Sequence, residues 1–88
     1  MSCRKCYVSG RVQGVFYRET TRNMAQSMNI TGRAINLTDG RVEVLMCGTE
    51  QQLNAFSSLL WQGSTWSDVT DVQCHDIELH NPDGFTTG

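Results

Sequence analysis

The sequence predicts an α+β fold, a two-layer α/β plait with two helices on one face of an antiparallel sheet. Three observations predict it. Strand-like and helix-like segments alternate in the order β-α-β-β-α-β, each helical segment has one apolar stripe, and no linker, repeat or low-complexity segment interrupts the 88 residues. An amphipathic helix buries only one stripe, so two such helices fit one face of a sheet. We therefore expect a single domain over residues 1–88.

The first half of the chain predicts a strand, a loop, a helix and a hairpin. Residues 6–8 are typical of a short strand, and a glycine-rich loop follows over residues 10–15. Asn29 can close the first helix, because asparagine tolerates the left-handed backbone of a helix end. Asp39-Gly40 predicts a hairpin turn between strands over residues 32–37 and 41–46. The apolar stripe of the helix comprises Tyr17, Thr21, Met24, Ala25 and Met28.

The second half predicts another helix and a last strand. Thr49 and Gln52 fit a capping box at the start of the helix. Apolar residues between Val69 and Leu79 fall out of simple alternation, which indicates a β-bulge. A turn is expected over residues 80–84. The stripe of the second helix comprises Leu53, Phe56, Leu59 and Leu60.

Composition and charge narrow the classes of function. No apolar run approaches the roughly 18 residues that span a bilayer, and no apolar segment follows the basic N-terminus as in a signal peptide. We therefore expect a cytoplasmic protein without a membrane partner.

A net charge of −2 and a third strand without aromatic residues argue against binding to nucleic acid. All seven basic residues lie at or before Arg41. A basic half of the chain could steer a small anion toward the loop, but pairing of these residues with acidic residues across strands is the favoured interpretation.

The glycine-rich loop carries the strongest functional signal. Residues 10–18 read Gly-Arg-Val-Gln-Gly-Val-Phe-Tyr-Arg, and glycine can take backbone angles that turn N–H groups toward one point. Inward N–H groups, a helix N-terminus and the guanidinium of Arg18 would together form a socket for a phosphate-sized dianion. The alternative is a loop that only connects a strand to a helix.

This loop resembles the signature of the acylphosphatases, Gly-x-Val-Gln-Gly-Val-x-Phe/Tyr-Arg. Residues 32–43 resemble a second family pattern, Gly-x-x-x-Asn-x-x-Asp-Gly-x-Val-Glu, and the resemblance covers nearly the whole chain. It implies a ferredoxin-like enzyme that hydrolyses acyl phosphates to a carboxylate and inorganic phosphate, with no metal and no cofactor. The implied phosphate-binding loop comprises Arg11, Val12, Gln13, Gly14, Val15, Phe16, Tyr17 and Arg18.

The resemblance also implies two catalytic residues. Arg18 would clamp the phosphoryl oxygens, and Asn36 would hold the attacking water in line. Taken singly, Arg18 is better explained by a surface ion pair with Glu19 or Asp39, and Asn36 is better explained by a cap ahead of the hairpin turn. Their joint placement in both patterns favours catalysis. A non-catalytic module that binds an acyl phosphate or phosphate is the alternative function, and we expect a monomer.

Four cysteines allow three full disulfide pairings. In the predicted plait the first and third strands are antiparallel neighbours, which brings Cys3 close to Cys47 on the face away from the helices. Cys3–Cys47 is the one disulfide we allow, and Cys6 and Cys74 are expected as buried thiols. A reducing cytosol argues for free thiols in the cell. No metal site is expected, because Cys74, His75 and His80 lack a regular ligand spacing.

Overall fold

The fold is an α+β plait of two helices on a five-stranded sheet. A computed structural model of the chain describes residues 1–78 and 83–87. Leu79 and most of the expected turn over residues 80–84 lie outside the described residues, as does His80. The elements are β1 (Ser2–Arg11), α1 (Tyr17–Ser27), β2 (Thr31–Asn36), β3 (Val42–Gly48), α2 (Glu50–Leu60), β4 (Asp68–Ile77) and β5 (Phe85–Thr86).

The sheet has the strand order β4-β1-β3-β2-β5. The pairs β4–β1, β1–β3 and β3–β2 are antiparallel, as the sequence predicts. The short β5, a fifth strand that the sequence did not predict, pairs parallel to β2, so the complete sheet is mixed. Phe85 explains the added strand: its buried ring packs edge-to-face on Phe56, with ring centroids 6.2 Å apart. Burying this ring draws the C-terminal segment onto the free edge of β2.

The two helices bury their predicted stripes against the same face of the sheet. Tyr17, Thr21 and Ala25 of α1 are buried, and the methionines of the stripe pack partly buried against the core. The buried residues of α2 are Leu53, Phe56 and Leu60, whereas Leu59 of the predicted stripe is only half-buried. Burial of one stripe on each helix produces the two-layer architecture, and no helix among the described residues covers the opposite face of the sheet.

Local signals fix the ends of several elements. Thr49 Oγ1 accepts from the Gln52 N–H at 3.1 Å, and Gln52 Oε1 accepts from the Thr49 N–H at 2.9 Å. This is the predicted capping box at the start of α2. Asn29 has φ 56° after the end of α1, and Gly40 has φ 95° in the hairpin between β2 and β3. Both residues therefore occupy the left-handed conformations that the sequence indicates.

The expected β-bulge lies between β1 and β4. Ser9 pairs with Asp71 and Gly10 pairs with Val69, so Thr70 is the extra residue. Gly10 has φ 118°, and a Cβ built on it would lie 2.1 Å from the Asp68 carbonyl oxygen. Only glycine fits at this point, where β1 approaches β4 and enters the glycine-rich loop.

The cysteines form two disulfides, Cys3–Cys47 and Cys6–Cys74. The expectation that Cys6 and Cys74 are buried thiols is wrong. Because β1 lies between β3 and β4, it places one cysteine opposite each neighbour: Cys3 opposite Cys47 and Cys6 opposite Cys74. Cys6 is fully buried, whereas Cys74 is exposed because it belongs to an edge strand.

Candidate active site

The glycine-rich loop between β1 and α1 has an unusual backbone. Gly14 has φ 71° and Phe16 has φ 63°, both in the left-handed region. The backbone N–H groups of residues 12–16 donate to no described residue of the chain. A Cβ on Gly14 would meet no atom within 4 Å, so the space before this residue is open. Several consecutive free N–H groups beside open space can bind an oxyanion.

Arg18 lies in the first turn of α1, beside this loop. Its side chain is half-buried, and Nη1 donates to the Thr87 carbonyl at 2.5 Å. Arg18 forms no ion pair with either acidic residue that the sequence suggests as its partner. Asp39 pairs with Arg41 at 2.8 Å instead, and no ion pair joins Arg18 to Glu19 within the described part of the chain. Its positive charge is therefore not neutralised by a carboxylate of residues 1–78 or 83–87.

A cavity of about 210 Å³ opens in front of the loop. It is lined by Val12, Gly14, Phe16, Tyr17, Arg18 and Glu19. Five of the eight predicted loop residues line it, whereas Arg11, Gln13 and Val15 do not. Glu19 lines the cavity although the sequence analysis gave it no role there.

Asn36 lies on the neighbouring hairpin rather than in the cavity wall. It is exposed at the last position of β2, and its side-chain amide has no hydrogen-bond partner within residues 1–78 and 83–87. Gln13 joins this hairpin to the loop: its Nε2 donates to the Leu37 carbonyl at 2.8 Å and to the Arg41 carbonyl at 2.9 Å. Because Leu37 follows Asn36 directly, this bridge fixes the end of β2 relative to the loop.

Two contacts hold the loop from the side of α2. Ser64 Oγ donates to the Val15 carbonyl at 2.5 Å, and the Tyr17 hydroxyl donates to the Leu60 carbonyl at 2.8 Å. Burial raises the pKa of the Tyr17 hydroxyl well above its usual range. Ser64 could not be predicted from the sequence, since a serine in an irregular segment carries no local signal for such a contact.

The described residues contain neither a candidate metal site nor a candidate membrane-spanning helix. No group of three histidine, cysteine, aspartate or glutamate side chains there could hold a metal ion. None of the helices in that part of the chain is long and apolar enough to cross a membrane. The free N–H groups and Arg18 thus form the candidate site for a small anion.

Comparison with known proteins identifies a family. The family model "Acylphosphatase" matches residues 4–87. A curated acylphosphatase of Chromohalobacter salexigens is 46% identical over 86 residues, which cover 98% of this chain and 96% of the relative. The crystal structure of acylphosphatase from Bacillus subtilis matches with a TM-score of 0.96 and 34% identity over 100% of this chain and 99% of that one. An acylphosphatase structure from Coxiella burnetii matches with a TM-score of 0.93 and 33% identity, covering 99% and 92%.

Proposed function

The chain belongs to the acylphosphatase family, and on that premise we propose that it hydrolyses acyl phosphates with Arg18 as phosphoryl ligand and Asn36 as the residue that orients water. One observation carries the assignment. The row of free N–H groups over residues 12–16 adjoins a guanidinium that no described carboxylate neutralises. Donors without a partner cost free energy when a bound ligand excludes water from them, and an oxyanion avoids this cost because it accepts hydrogen bonds from the N–H groups.

Arg18 has donors left for the substrate. A guanidinium has five N–H donors, and the Thr87 carbonyl uses a donor on Nη1. The bond to Thr87 fixes the plane of the group, and Nη2 and Nε remain able to bind two phosphoryl oxygens as a pair. Together with the loop N–H groups, this arrangement stabilises the charge of the phosphoryl group during transfer.

Asn36 would act on the attacking water. Its exposed amide can accept a hydrogen bond from the water and hold the oxygen in line with the bond from phosphorus to the acyl oxygen. As the water oxygen bonds to phosphorus, the carboxylate leaves with the electron pair of the broken bond. The water proton passes to a phosphoryl oxygen. A carboxylate is a weak base and needs no acid to leave, so the step requires no metal and no cofactor.

The direct test is release of inorganic phosphate from acetyl phosphate in the presence of EDTA. We expect turnover that EDTA does not lower, and weak competition by inorganic phosphate, the product. Arg18→Lys should lose most of the activity, because an ammonium cannot reproduce the planar fork. Binding without turnover would favour the alternative, a regulatory module that only holds the acyl phosphate or phosphate. A strict requirement for Mg²⁺ would contradict the mechanism.

The remaining proposals concern the protein as a whole. We propose that residues 1–88 act as one domain, as a monomer in the cytoplasm, without nucleic acid or membrane as partner. In that reducing compartment the four cysteines would be thiols, and the two disulfides would form on oxidation. Counting free thiols after rapid alkylation in cells, against the same count in oxidised purified protein, tests this. Equilibrium sedimentation tests the monomer.

A further inference from the structure

The two disulfides differ in how far solvent reaches them. Cys3 and Cys47, which form one bond, are both buried, at 6% and 1% exposed. In the other bond Cys6 is fully buried, whereas Cys74 is exposed. One disulfide is therefore closed to solvent at both residues, and the other is open at one of them.

The position of Cys74 in the sheet explains its exposure. β4 lies at the edge of the sheet and pairs with β1. Residues 73–76 are all exposed, so the neighbours of Cys74 along the strand do not cover it. A small molecule in solution can therefore reach Cys74 while the core around Cys6 stays closed.

We propose that Cys74 is a modification site at which a low-molecular-weight thiol, such as glutathione, forms a mixed disulfide. The thiolate of the small molecule attacks Cys74 Sγ and forms a new S–S bond to it. The Cys6–Cys74 bond breaks, its electron pair leaves with Cys6 Sγ, and this sulfur takes up the proton that the small thiol lost to water. One disulfide is exchanged for another, so the step has no net oxidation. The same attack on Cys3 or Cys47 requires the fold to open first, because both are buried.

The modification site lies apart from the candidate active site. Cys74 is opposite Cys6 in the register of β1 and β4. Cys6 precedes Gly10, where β1 enters the glycine-rich loop, by four residues, which is roughly 13 Å of extended strand. Cys74 does not line the cavity in front of that loop. The proposal therefore holds whether or not the loop binds a phosphoryl group.

Two alanine variants allow a matched comparison of an exposed and a buried thiol. Cys6→Ala leaves Cys74 as an exposed free thiol, and Cys3→Ala leaves Cys47 as a buried one. Each variant keeps the other disulfide, so the two proteins have the same number of thiols and bonds. Both are incubated with oxidised glutathione after circular dichroism has confirmed their fold. Intact mass spectrometry then follows the gain of one glutathionyl group.

Wild-type protein provides a second measurement that needs no substitution. The oxidised protein is treated with graded concentrations of reduced glutathione, and free thiols are trapped with N-ethylmaleimide. Digestion with trypsin and a Glu-specific protease separates the cysteines, because Glu50 lies between Cys47 and Cys74. Peptide mapping then shows which bond opens first and which sulfur carries glutathione. If either variant fails to fold, this map alone decides.

We expect Cys6→Ala to gain the glutathionyl group at least about tenfold faster than Cys3→Ala, because Cys47 reacts only after the structure opens around it. In wild type the Cys6–Cys74 bond should open first, with glutathione on Cys74 and Cys6 as a free thiol. Equal rates in the two variants would overturn the inference, since both thiols would then react through opening of the whole fold. Glutathione on Cys6, or earlier opening of Cys3–Cys47, would overturn it as well.

Discussion

Gln13 should stabilise the protein by joining the loop to the hairpin, although it does not line the cavity. Gln13→Ala removes two hydrogen bonds, of 2.8 and 2.9 Å, between Nε2 and the carbonyls of Leu37 and Arg41. Each neutral bond contributes about 0.5–1.5 kcal/mol, which sets a range of about 1–3 kcal/mol. Both carbonyls keep another partner, since Leu37 O accepts from the Gly40 N–H at 3.2 Å and Arg41 O accepts from the Leu37 N–H at 2.8 Å. We therefore expect the lower part of that range, about 1–2 kcal/mol.

Urea denaturation measures this loss as a change in the free energy of unfolding. Gln51→Ala is the matched control, because Gln51 is an exposed residue of α2 whose side chain makes no hydrogen bond to a described residue. It should change the free energy by less than about 0.5 kcal/mol. Gln13→Glu keeps the shape but removes the donors and places a carboxylate near two carbonyls. At pH 7, Gln13→Glu should lower the free energy of unfolding by at least as much as Gln13→Ala. Part of this free energy should return below about pH 4, because the carboxyl group is protonated there. If Gln13→Ala costs no more than Gln51→Ala, the bridge is not stabilising.

Three further predictions concern the backbone, the hairpin and the disulfides. Gly10→Ala should lower the free energy of unfolding, measured in urea, by more than about 2 kcal/mol, because its Cβ would lie 2.1 Å from the Asp68 oxygen. Gly14→Ala meets no atom within 4 Å and should cost about 1–2 kcal/mol from backbone strain alone. Equal losses in the two variants would contradict this prediction. The Arg41 backbone N–H lowers the pKa of Asp39 below its ordinary 3.8, so this contribution to stability is present above that pH and is lost as pH falls through the lower folded value. An NMR titration midpoint for Asp39 at or above 3.8 would disprove it. Each disulfide closes a long loop, with sequence separations of 44 and 68, and the chain-entropy model assigns about 4 kcal/mol to each. A reductant should therefore lower Tm by more than about 10 °C, and an unchanged Tm would contradict the two bridges.

Much of the fold could be predicted because its signals are local. Thr49 and Gln52 lie three residues apart, and the hairpin turn needs only Asp39-Gly40. The apolar stripes of the helices likewise depend on spacing within about three turns. Such patterns specify an element without knowledge of the remaining structure.

The features that were missed depend on how distant segments meet. Cys6 lies opposite Cys74 only in the register that the bulge sets between β1 and β4. The parallel pairing of β5 depends on burial of Phe85 against Phe56. The contact from Ser64 to the Val15 carbonyl joins two irregular segments. Sequence periodicity describes each segment alone and carries no information on these pairings.

The candidate site shows the same division. The loop residues that line the cavity are contiguous in sequence, so one glycine-rich pattern predicts them together. Asn36 comes from another strand, and its role rests on family resemblance. Its position relative to the loop depends on the two hydrogen bonds of Gln13, which no local pattern indicates.

The value of kcat for Asn36→Ala on a saturating acyl phosphate tests the central claim most directly. Asn23→Ala is the control, because Asn23 is an exposed asparagine of α1 that does not line the cavity. If Asn36 orients the attacking water, its loss should lower kcat by about 100- to 1000-fold. KM should change little, since Arg18 and the loop still bind the phosphoryl group. A kcat close to that of wild type and of Asn23→Ala would contradict the account.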